Sequence, residues 1–103
     1  MADPDLSGLY KLAGTPSFAC GDDLTSLGWI EQNLCMDADL AALDREMATA
    51  YAAARKRATR QDAAALTASQ RSWLAERESC NADRRYSCLK QKYQERIAAL
   101  KKP

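Results

Sequence analysis

Apolar positions recur at helical spacing along most of the chain, and no β-branched run alternates in the two-residue rhythm of a strand. Leu27, Ile30 and Leu34 follow the i, i+3, i+7 pattern and predict a short first helix from about Thr25 to Cys35, capped by Thr25 or Asp23. Gly28 inside it costs about 1 kcal/mol relative to alanine, so this helix needs outside support. Asp37 can cap a second, long helix, with Asp39 in its first turn and Leu40, Leu43, Met47, Ala50, Tyr51 and Ala54 forming one stripe. Arg55, Lys56, Arg57 and Arg60 gather where that helix should finish, which suits the negative end of its dipole.

Neither glycine nor proline marks that finish. A single helix from Asp37 to Ser79 would be roughly 65 Å long at about 1.5 Å per residue, too long for a compact domain of this size. Thr59-Arg60-Gln61-Asp62 reads as a capping box with Asp in place of Glu, so the turn is placed there. A third helix then runs from about Asp62 to Ser79, with Leu66, Gln70, Trp73, Arg77 and Cys80 on one face and Leu74 beside them. Asn81-Ala82-Asp83 predicts a turn, and a last helix carries Tyr86, Leu89, Tyr93, Ile97 and Leu100 inward before ending in Lys101-Lys102.

The fold class expected is therefore all-α: one short helix and three longer ones in antiparallel hairpins, over residues 20–103. Residues 1–19 hold two of the three prolines and no helical period, and are expected to form an extended arm whose Leu9, Tyr10, Leu12 and Phe18 dock on the body.

A chain of 103 residues buries only about two-thirds of the surface it exposes when unfolded, so cross-links matter. Cys20, Cys35, Cys80 and Cys88 contain no Cys-x-x-Cys pair, and the chain has no histidine to complete a mixed zinc site; no metal or other cofactor is expected. The cysteines fall into two local pairs, Cys20 with Cys35 and Cys80 with Cys88, although three connectivities are formally open and four buried thiols in a cytosolic protein are the competing reading. Disulfides would place the protein in an oxidising compartment.

The longest apolar run is Ala50 to Ala54, far short of the roughly 20 residues that cross a bilayer. Met1-Ala2-Asp3-Pro4-Asp5 lacks the positive start and apolar stretch of an export signal, so an exported form implies a mature chain whose signal has been replaced by Met1.

Three stretches carry a family resemblance: Cys35 to Met47 continued to Tyr51, Gln70-Arg71-Ser72-Trp73-Leu74-Ala75-Glu76-Arg77-Glu78-Ser79-Cys80, and Cys88-Leu89 through Tyr93 to Leu100. Together they resemble the N-terminal domain family of LprI-type lysozyme inhibitors, small bacterial envelope proteins, over most of residues 18 to 100. The second stretch is the most specific. The resemblance implies an exported, helical, disulfide-bonded protein and suggests lysozyme inhibition. No lipobox cysteine stands near the N-terminus, so a lipid anchor is not expected.

Arg77 shares the inward face with Trp73 and Cys80, and a guanidinium there is costly to bury without a carboxylate. Asp44, flanking the stripe of the long helix, is the expected partner of Arg77 or Arg96. Trp73, Tyr51 and Tyr93 are expected in the core, while Trp29 lies off the first helix's apolar face and is either an interface anchor or packed on the arm.

Charge is divided along the chain: residues 1–50 hold 9 acidic and 2 basic side chains, residues 51–103 hold 5 and 13. Asp22, Asp23, Glu31, Asp37 and Asp39 are the candidate partner-binding residues, an acidic surface able to steer a basic protein, set against their simpler role as helix caps. The basic half carries acids on the same helices and no aromatic stacking platform, so nucleic acid is not an expected partner. No catalytic residues are assigned: histidine is absent, as are a Gly-x-Ser-x-Gly elbow and a phosphate-cradling glycine loop. Glu76 and Glu78, two apart on a helix, do not converge.

The reading is a periplasmic or secreted protein that binds and inhibits a lysozyme or related peptidoglycan-cleaving enzyme. The alternatives are an envelope immunity or accessory protein against a secreted toxin, and a structural envelope module; the oligomeric state is open.

Overall fold

A computed structural model describes residues 16–21, 24–80 and 85–102. Four α-helices follow one another: α1 (Trp29–Met36), α2 (Ala38–Arg57), α3 (Arg60–Glu76) and α4 (Arg85–Lys101). Short 3₁₀ turns at Leu24–Ser26 and Arg77–Ser79 precede α1 and extend α3, and no strand occurs among the described residues. The expected Asn81-Ala82-Asp83 turn and the arm residues Leu9, Tyr10 and Leu12 lie outside the described residues. The chain separates into two compact units, Met1–Arg45 and Glu46–Pro103, with α2 running through the division.

In the first unit, Ile30, Leu34 and Leu40 are buried, as the helical period placed them, and Ala41 beside Leu40 is buried with them. Cys20 is bridged to Cys35 across 15 residues, with Cα atoms 6.0 Å apart, and Gly21 beside it takes a φ of +74° that L side chains rarely adopt. The bridge therefore ties the segment before α1 to the helix's last turn. The expected helix start is corrected. Thr25 lies in the 3₁₀ turn, and α1 begins four residues later, at Trp29. Gly28 is its N-cap, in extended conformation, rather than a weak interior residue. A Cβ on Gly28 would stand 2.6 Å from Oε1 of Glu31, whose flexible side chain folds back over the helix entrance.

In the second unit, α2 and α3 run antiparallel, with Tyr51 Oη donating to Thr67 Oγ1 at 3.3 Å and Gln70 Nε2 donating to Met47 Sδ at 3.1 Å. The turn falls where the capping box placed it: the Asp62 N–H donates to Thr59 Oγ1 at 3.2 Å, and α3 starts at Arg60. α4 returns antiparallel to α3, and Cys80 is bridged to Cys88 at a Cα separation of 5.6 Å. No free cysteine remains, so the competing reading of buried thiols is set aside. Met47, Ala50, Ala54, Trp73, Leu89, Tyr93, Ile97 and Leu100 form the buried apolar set of this unit.

The expected apolar-face positions Leu27, Leu43 and Leu66 are half-buried, and the expected inward positions Tyr51 and Tyr86 are corrected. Tyr51 is only half-buried, and its hydroxyl reaches Thr67. Leu74, beside the buried face of α3, is 36% exposed. Tyr86 is 41% exposed and lies under the Lys90 ammonium, 5.8 Å from its ring centre. Tyr93 already meets Arg77 at the end of the α-helical part of α3, and Tyr86 stands seven residues before Tyr93, about 10 Å further along α4. At that level α3 has ended and offers nothing to cover the ring.

Candidate functional site

The tight corner between α1 and α2 holds Asp37 and Asp39, two of the four described residues singled out for partner binding; Trp29 and Glu31 stand at the other end of α1. Only Asp37 separates the two helices, and it serves both. Its N–H donates to Asn33 O at 3.1 Å, closing α1, while its Oδ1 accepts from Leu40 N–H at 3.0 Å, opening α2. The Asp37 carboxylate is thus committed to the backbone and half-buried. Asp39, one residue into α2, is exposed. Glu31 is half-buried with its carboxylate over Gly28. Trp29 opens α1 half-buried, and its carbonyl accepts from Asn33 Nδ2 at 2.7 Å. Asp22 and Asp23 lie outside the described residues.

One residue at this corner was not singled out from the sequence. Met36 is 73% exposed, flanked by the bridged Cys35 and the capping Asp37. The signal existed: Met36 lies two residues beyond Leu34, off the face set by Ile30 and Leu34. A single apolar side chain at the last position of a helix, off its buried face, has no period to mark it. The corner therefore presents a flexible, polarisable side chain among carboxylates, held by a disulfide on one side and a helix cap on the other. Such a group adapts to the surface it meets.

The charges assigned a structural role are found buried or half-buried. Asp44 is 2% exposed and accepts from the backbone N–H of Ser17 at 2.7 Å and from its hydroxyl. It thereby anchors the segment that leads to Cys20, a bond no helical pattern could reveal. Arg77 is 7% exposed, donates from Nη1 to Tyr93 Oη at 2.6 Å, and stands 6.0 Å over the Trp73 ring. Arg96 donates to Gln70 Oε1 and to Ser69 Oγ, each at 3.0 Å. Burial pulls the Arg96 guanidinium below its usual pKa, while Tyr51 and Glu76 act in the opposite sense.

Asp44→Ala removes two hydrogen bonds to a charged acceptor, each worth about 1.5 to 3 kcal/mol, so the melting midpoint should fall by more than about 10 °C. Circular dichroism melts of the two proteins check this. The pairing of Asp44 with Arg77 or Arg96 stands as a proposal, and coupling in a double-mutant cycle of Asp44→Ala with each arginine is its measure.

Among the described residues, no group of three or more His, Cys, Asp or Glu side chains is placed to hold a metal ion. No described helix is long and apolar enough to cross a membrane. The arrangement presents surfaces and charge. By sequence, the unit Met1–Arg45 holds 8 acidic and 2 basic side chains, and Glu46–Pro103 holds 6 and 13, so the two units differ in sign.

Compared with known proteins, residues 21–100 match the model of a family described as lysozyme inhibitor LprI. No curated protein and no solved structure matches the chain.

Proposed function

Since the chain belongs to the LprI lysozyme inhibitor family, whose match over residues 21–100 takes in the Cys80–Cys88 bridge and all but the last residue of the four helices, we propose that it is an exported protein that inhibits a lysozyme or related peptidoglycan-cleaving enzyme by direct contact. The observation that carries the docking site is Met36, 73% exposed at the disulfide-braced corner beside Asp37 and Asp39. Its apolar side chain is the anchor. The acidic balance of Met1–Arg45 draws in a basic enzyme at long range, and Asp39 rims the contact once it forms. Two bridges fit an extracellular or periplasmic setting, where peptidoglycan hydrolases act.

The test is the clearing of a cell-wall suspension by c-type and g-type lysozymes with the protein added at micromolar concentration. Slowed clearing by either enzyme supports inhibition, and unaltered rates with both overturn it in favour of a toxin or another envelope partner. Met36→Glu should raise the concentration needed by about tenfold or more, because desolvating a methionine is worth about 1.5 to 3 kcal/mol and each 1.4 kcal/mol is tenfold. Its melting curve should not move, since the side chain lies in solvent. Undiminished inhibition by Met36→Glu would place the contact elsewhere while leaving the activity intact.

A further inference from the structure

Within Glu46–Pro103, the end at which α2 stops and α3 starts carries a surface that inhibition does not use. A groove of about 310 Å³ opens there, floored by Ala54, Leu66 and Leu100 and edged by Arg57 and Lys102, with Asp62 its one lining carboxylate. Arg55, Lys56, Arg60 and Lys101 stand beside these two cations in the chain, and all six are exposed.

Helix-end chemistry accounts for only some of this charge. Arg57 Nη2 donates to the Leu100 carbonyl at 3.1 Å, satisfying the last turn of α4. Lys101 pairs with Glu46 at 3.1 Å, and Arg55 lies over the Tyr51 ring at 5.9 Å. Lys56, Arg60 and Lys102 make no ion pair among the described residues. One or two cations complement a helix dipole; further like charges on the same end repel one another and call for an external anion.

We propose that this end is a peripheral docking surface for a bilayer containing anionic phospholipid. Two cations edge the groove and four more are next to them or close by in the chain, where the ends of three helices meet, a compact footprint suited to a plane of phosphates rather than to a track along a linear polyanion. Among the described residues lining the groove there is no aromatic platform for stacked bases, and the Tyr51 ring on the same helix is covered by Arg55. The groove floor is small and alanine-rich, with no large exposed apolar side chain to insert, so the attraction is electrostatic and yields to salt.

Co-sedimentation of the oxidised full chain with vesicles tests it, using phosphatidylcholine alone and phosphatidylcholine mixed with phosphatidylglycerol. No lysozyme is present, so the result is independent of inhibition. The protein should sediment with the anionic vesicles at low salt and be released as salt rises. Each lysine or arginine near such a surface is worth roughly fivefold in partitioning, so Lys56→Gln, Arg60→Gln and Lys102→Gln together should weaken binding on the order of a hundredfold. A second triple variant, Arg71→Gln, Lys90→Gln and Lys92→Gln, removes the same net charge elsewhere in the unit and should lose less than about tenfold. Circular dichroism confirms that both variants keep their helices. Equal losses in the two triples, no sedimentation with anionic vesicles, or equal sedimentation with neutral ones would overturn the proposal. Binding to soluble polyphosphate without binding to vesicles would overturn it too, assigning the groove to a dissolved polyanion.

Discussion

Removing both disulfides should lower the midpoint of thermal unfolding by more than about 20 °C. The closed loops span 15 and 8 residues, and chain-entropy arguments assign them about 3 and about 2.5 kcal/mol. Their sum reaches the lower end of the roughly 5 to 15 kcal/mol that holds a typical domain folded, and each kcal/mol moves the midpoint of a domain this size by about 4 to 8 °C. The two bridges act in different units, so their variants separate. Cys20→Ser with Cys35→Ser should loosen the segment before α1, whose glycine N-cap gives no side-chain bond of its own. Cys80→Ser with Cys88→Ser should act on the α3–α4 hairpin. Circular dichroism melts with and without reductant measure the combined effect, and intact-mass analysis after alkylation confirms which thiols were released. Melting curves that coincide before and after reduction would mean that helix packing alone carries the fold, and the inference of an oxidising compartment would lose its physical basis.

Tyr93→Ala should cost about 3 to 5 kcal/mol, the second large effect. The ring is fully buried, meets Trp73 edge to face at a centroid distance of 4.8 Å, and receives the Arg77 guanidinium on its hydroxyl. Truncation leaves a cavity against Trp73 and takes an acceptor from a buried cation in the same step. Tyr93→Phe separates these two effects: it keeps the ring and removes only the hydroxyl, and should cost about 1.5 to 3 kcal/mol. Denaturant titrations of both variants give the comparison. If Tyr93→Phe proves neutral, the 2.6 Å bond is dispensable and Arg77 is held by its other surroundings.

The order of magnitude of these effects follows from how the molecule divides its work. Apolar burial in Glu46–Pro103 is continuous along three helices, whereas the described part of Met1–Arg45 has one eight-residue helix and the opening of α2. A helix that short is not stable by itself in water. It is held at its last turn by Cys35 and at the chain entering it by Asp44, which binds Ser17. The corner at Met36 therefore rests on covalent and charged anchors rather than on a large core, which fixes its geometry while leaving its outer side chain in solvent.

What the sequence determined by itself was most of what local period and local chemistry govern, the start of α1 excepted. The spacing of Leu40, Met47, Ala50 and Ala54 marked the buried stripe of α2, the Thr59 box marked the break before α3, and the two near pairs of cysteines closed as short loops do. Each of those depends on residues a few positions apart, whose distances the helix itself sets. Tertiary structure alone decided which periodic positions had a neighbour to cover them. Tyr86 has the right spacing and stays exposed because α3 has ended; Asp44 is buried on Ser17, 27 residues away; Met36 stands out because two helices meet at a single residue. Coverage and long-range hydrogen bonding depend on where other segments come to rest, a quantity that no repeat along the chain encodes.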